Sequence, residues 1–73
     1  MKTKNFLELS KHLKERKPFK INYDGEDFGI YIYNQEKDRY EGKIGHIDFI
    51  DMVKIIKDEN NFIKLEPYEI EKN

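Results

Sequence analysis

FKINYDGEDFGIYIY, residues 19–33, decides the fold. Asp24-Gly25 divides two alternating apolar segments, and a two-residue hairpin turn with both central residues at positive φ suits Asp-Gly. In a regular register this turn pairs Tyr23 with Glu26, Ile21 with Phe28 and Phe19 with Ile30. Those residues and Ile32 then share the buried face. The opposite face carries Lys20, Asn22, Asp27, Gly29, Tyr31 and Tyr33.

Upstream, Asn5 with Glu8 three residues on forms a capping-box pattern, and Phe6, Leu9 and Leu13 follow at helical spacing. Pro18 ends the element, so a helix is expected over about 5–16. The hairpin strands fall near 18–24 and 26–34. Downstream, NQEKDR (34–39) is a polar connection and YEGKIG (40–45) resumes alternation as a third strand, with Tyr40, Gly42 and Ile44 on one face. Asp48 as N-cap, Asp51 and an Ile47–Met52 staple open a second helix. Its apolar arc is wide: Phe49, Met52, Val53 and Ile56 cluster while Ile50 and Ile55 flank them, so it touches more than one neighbour or faces a partner. Asn60-Asn61 ends that helix. FIKLE (62–66) is a fourth strand with Ile63 and Leu65 inward, Pro67 interrupts it, and YEIEKN forms a tail.

The order αβββαβ predicts one α+β domain spanning 1–73, an antiparallel sheet of three to four strands with two helices packed on one face. The other face stays open, displaying Tyr31, Tyr33 and Phe62. On this assignment Phe49→Ala destabilises more than Tyr31→Ala.

Charged residues make up 40% of the 73, far above an ordinary domain, while five Phe and five Tyr supply the bulk for a core. The chain has no cysteine, so neither a disulfide framework nor a thiolate metal cage is available. No apolar run has the length of a signal peptide or membrane span, which predicts a cytoplasmic protein. Lys outnumbers Arg twelve to two and Ala is absent, a bias expected from an AT-rich genome. Residues 1–20 hold seven Lys/Arg and two Asp/Glu, +5, and residues 21–73 hold seven and thirteen, −6. Such a dipolar chain can steer charged partners.

Four constellations bear on function. The open-face tyrosines, with the acidic residues Asp27, Glu36, Asp38 and Glu41 around the hairpin ends, make a protein-binding surface, since Tyr is enriched at interfaces. Asp24 and Glu26 add to that acidity. The basic residues Lys11, Lys14, Arg16, Lys17 and Lys20 around the end of the first helix make the alternative, a nucleic-acid-binding belt. His46, Asp48 and Asp51 have conceivable metal or acid–base spacing, but both aspartates have a structural task at the start of the second helix. His12 reads as a lone exposed imidazole. No P-loop, dinucleotide fingerprint, nucleophile elbow or HExxH sequence occurs. The expectation is a small protein-binding module without catalytic residues or cofactor, plausible as an accessory or inhibitory factor of a phage or other mobile element. Another protein is its expected partner, and the flank of the second helix is a possible homodimer contact.

Overall fold

The computed structural model describes the backbone of residues 2–58 and 60–70, with side chains from residue 6 onward within that range. The elements are α1 (Lys2–Lys14), β1 (Phe19–Tyr23), β2 (Glu26–Asn34), β3 (Arg39–Glu41), β4 (His46–Asp48), α2 (Phe49–Lys57) and β5 (Ile63–Pro67). They form an α+β domain: a five-stranded sheet in the order β4-β3-β2-β1-β5, every neighbouring pair antiparallel, with the helices packed against it. The core is Leu9, Leu13, Phe19, Ile21, Tyr31, Tyr40 and Met52.

The hairpin turn forms as its chemistry requires. Asp24 and Gly25 have φ of 51° and 86°, and Asn22 Oδ1 accepts the Gly25 N–H at 2.9 Å. Tyr23 faces Glu26 and Asn22 faces Asp27, as expected; then the register shifts, and Ile21 faces Gly29, Lys20 faces Ile30 and Phe19 faces Tyr31. Phe28 is the extra residue of a β-bulge. Gly29 takes φ 85°, and Asp27 Oδ1 accepts its N–H at 2.9 Å, so the bulge carries its own hydrogen bond.

A one-residue slip exchanges the faces of every residue beyond it. Tyr31 is therefore 3% exposed beneath the helices and Tyr33 is half-buried, whereas Ile30 and Ile32 are exposed. The assignment of Tyr31 and Tyr33 to the open face is thus corrected. The ranking of Phe49→Ala above Tyr31→Ala is corrected with it, because Phe49 is only half-buried. Phe62 is exposed, and Ile63 and Leu65 are half-buried, as their alternation implies.

Nothing lies within 4 Å of a Cβ placed on Gly29, so substitution there tests the backbone alone. Gly29→Ala is expected to destabilise by about 1–2 kcal/mol, the cost of an L-residue at positive φ. In a chemically synthesised chain, D-alanine at the same position should leave the urea midpoint unchanged or raised. Equal midpoints for the two alanines would contradict the bulge.

Three boundaries differ from expectation. The first helix reaches back to Lys2, placing Asn5 inside it and not at its cap; the Asn5 side chain lies outside the described ones. The third strand is only Arg39–Glu41, because Gly42 N–H bonds to the Gly45 carbonyl at 2.8 Å and closes a turn that sends the chain back as β4. Ile44 sits exposed at that turn, not on a strand face. Asp48 occupies the N-cap of α2 but makes no side-chain cap bond. The Phe49 N–H instead continues the β3–β4 ladder to the Asp38 carbonyl at 3.1 Å. α2 ends at Lys57, ahead of Asn60-Asn61, with the Asp58 N–H bonded to the Lys54 and Ile55 carbonyls.

α1 ends in a Schellman motif. Lys17 N–H reaches the His12 carbonyl, Arg16 N–H reaches that of Leu13, and Arg16 takes the left-handed conformation at φ 57°. Beyond it, the buried Tyr40 hydroxyl donates to the Lys17 carbonyl at 2.7 Å and ties the link to the sheet. Burial pushes the Tyr40 phenol well above its ordinary pKa; the Arg16 charge pulls it down in part, and Tyr33 raises it. The neutral form is the one the fold holds. Its stability contribution is complete below the free-tyrosine pKa of about 10 and is lost as pH rises above it, at up to about 1.4 kcal/mol per pH unit. Melting temperature should thus fall more steeply above that pH for the natural chain than for Tyr40→Phe. The variant starts about 1 kcal/mol less stable at neutral pH; parallel alkaline limbs would contradict the assignment.

Candidate functional site

The acidic hairpin residues are not gathered into one recognition surface with the tyrosines. Tyr31 is sealed in the core, and Asp27 is engaged with the Gly29 N–H. The Tyr33 hydroxyl donates to Asp38 Oδ1, and the Tyr33 ring packs edge-on against Tyr40 and Phe49, with centroids 5.5 and 6.0 Å away. Glu41 accepts from Asn34 at 3.1 Å and from Arg39 at 2.8 Å; these bonds, that of Asn34 first, hold its carboxyl below the ordinary range. Glu36 is exposed on the β2–β3 turn, where its N–H bonds to Asn34 Oδ1.

The basic belt is also divided. Lys11 and Lys14 are exposed on α1, and Lys17 pairs with Glu15 at 3.1 Å. The hydrogen bond and charge of Glu15, followed by the charge of Glu69, raise the Lys17 pKa. Lys20 faces Ile30 and Glu66 across the strands, on the sheet face turned away from the helices. His12, expected exposed, is 7% exposed. Its Nε2 donates to the Pro18 carbonyl at 2.7 Å, and its ring stands edge-on to Phe19 at 4.8 Å, which fixes the α1–β1 link. His46, Asp48 and Asp51 are exposed, and among the described residues no group of three His, Asp or Glu is placed to hold a metal ion.

What the fold does assemble lies between the helices. The Arg16 guanidinium carbon sits 4.0 Å from the Phe49 ring centroid and 5.5 Å from that of Tyr33. Such stacking contributes about 0.5–1 kcal/mol at an exposed site. Because Phe49 is the first residue of α2, this contact brings the C-terminal end of α1 to the N-terminal end of α2. The helices run antiparallel from there and leave an open groove of about 310 Å³ between them. Leu13, Phe49, Val53 and Ile56 give it an apolar floor; Lys14 and Arg16 stand at one end, and Lys57 with Ser10 at the other.

No carboxylate lines the groove, and among the described residues the ion pairs are Lys17–Glu15 and Arg39–Glu41, leaving these three cations unpaired. Sequence reasoning identified Lys14 and Arg16 and the wide arc of α2, but it did not join them or include Lys57. The joining depends on the contact of Arg16 with Phe49, which lie far apart in the chain. Among the described residues no helix is long and apolar enough to cross a membrane. No known protein family, characterised protein or solved structure matches the chain.

Proposed function

We propose that this chain is a small cytoplasmic protein-binding module whose contact surface is the α1–α2 groove, in place of the tyrosine face expected from the alternation. The observation that carries the reading is an apolar floor open to solvent beneath three cations that form no ion pair among the described residues. A concave, mostly apolar site with a few convergent polar groups is the usual form of a binding site. Ile50, 60% exposed, extends the apolar surface along α2, since it lies one turn before Val53. The same apolar flank of α2 is the candidate contact for a homodimer. Small size and codon bias still suit an accessory or inhibitory factor of a mobile element. Nucleic-acid binding is less well served: Lys17 is paired, Lys20 lies on the other side of the sheet, and the floor between the remaining cations is apolar.

The test is affinity capture from the source cells with three baits: the natural chain, Val53→Asp in the groove floor, and Ile32→Asp on the open sheet face. A specific protein partner should be retained by the natural chain and by Ile32→Asp, lost with Val53→Asp, and unaffected by nuclease. Loss on nuclease treatment would transfer the reading to nucleic acid. Retention by Val53→Asp would remove the groove from it.

A further inference from the structure

We infer that the groove takes an acidic amphipathic helix from a partner protein, an inference that rests on the protein-binding reading above and names the partner's chemistry. The shape favours a helix. α2 has nine residues, so the trough it walls is about 13 Å long, and an occupant helix would present apolar anchors at i, i+3 or i+4, and i+7 to Phe49, Val53 and Ile56. Charge fixes the rest of the occupant. With Lys14 and Arg16 at one end and Lys57 at the other, its carboxylates belong at both ends of the anchor row. An Arg guanidinium already ordered on an aromatic ring loses little freedom on accepting a carboxylate.

The competing surfaces lack this one-sided chemistry. On the open sheet face, cations and acids stand opposite one another across strands: Lys20 with Glu66 and Arg39 with Asp48. That face therefore selects no sign of charge. The free edge of β5 is guarded against strand addition, because Asn61 Oδ1 accepts the Ile63 N–H at 2.9 Å and Pro67 offers no donor. The pocket of about 180 Å³ between α1, α2 and β5 is lined by Asp58 as well as Lys57 and Lys64, so it too is mixed in sign.

The experiment titrates the full chain with three synthetic helical peptides that share one leucine row at i, i+3, i+4 and i+7 and carry flanking Glu, Gln or Lys. Methyl NMR shifts of Val53, Ile56 and Leu13 locate the site, and fluorescence anisotropy gives the affinity. The Glu peptide is expected to bind in the groove, to weaken with added salt, and to lose about tenfold in affinity with Lys14→Glu/Lys57→Glu, equal to about 1.4 kcal/mol. Amide spectra of that variant establish that it is folded. Equal binding of the Gln peptide would overturn the charge assignment while leaving the protein-binding reading intact. Overturning results also include shifts at Ile30 and Ile32 in place of the groove methyls, tighter binding of a single-stranded oligonucleotide, or no binding by any peptide.

Discussion

Replacing Tyr31 by alanine is expected to cost about 3–5 kcal/mol, the range for truncating a buried large aromatic. Tyr31 is 3% exposed, faces Phe19 across the β1–β2 ladder, and fills the space over Gly42. A chain of 73 residues has a net stability of only roughly 4–11 kcal/mol, at about 0.05–0.15 kcal/mol per residue. The variant should therefore show a large fraction of unfolded chain at modest urea, and a melting temperature well below that of the natural protein. Phe49→Ala is the informative comparison. Its ring is half-buried and carries Arg16 on one side, so its loss should cost less than that of Tyr31 while disturbing the groove. Urea unfolding of both variants checks the order; a smaller loss for Tyr31→Ala would return Tyr31 to the solvent face and remove the bulge with it.

The contrast between these two aromatics shows what local chemistry reveals and where it fails. The Asp24-Gly25 turn is legible because its requirement for two positive φ angles is met by adjacent residues. The inward set of β5 is legible because its alternation is unbroken, and the buried position of Met52 follows from the helical period of α2. β2 misleads because alternation is a reliable guide only between irregularities, and a single residue at positive φ reverses everything after it. Its signal was present: Gly29 interrupts a strand, two residues after an Asp able to bond its N–H, which is the local composition of a bulge. The acidic surface failed for the same reason, since Asp38 and Glu41 found partners in Tyr33, Asn34 and Arg39 once the faces were exchanged. The groove is a different case. Its walls come from opposite sides of the hairpin, and only the meeting of Arg16 with Phe49 aligns Lys14 with Val53 and Ile56. No periodicity within one segment encodes that alignment.

Gly42→Ala should be about as damaging as loss of the tyrosine itself, although it adds a single methyl group. A Cβ on Gly42 would lie 2.6 Å from two atoms of the Tyr31 ring, closer than real carbon contacts allow. The obstacle cannot swing away easily, because Tyr31 is the inward residue of a central strand beneath the helices and the Gly42 backbone is tied to Gly45. Overpacking of this kind costs about 1–3 kcal/mol and more where neighbours cannot shift, so a loss at or above the top of that range is expected. Backbone conformation is not the cause, since Gly42 does not occupy the positive-φ region. The double variant separates the two explanations. If the ring is what the methyl group strikes, Gly42→Ala in a Tyr31→Leu background should cost at least about 1 kcal/mol less than in the natural chain, a coupling typical of residues in contact. Strictly additive losses in urea would mean that Gly42 is needed for the β3–β4 turn alone, and that the packing of Tyr31 against it contributes nothing.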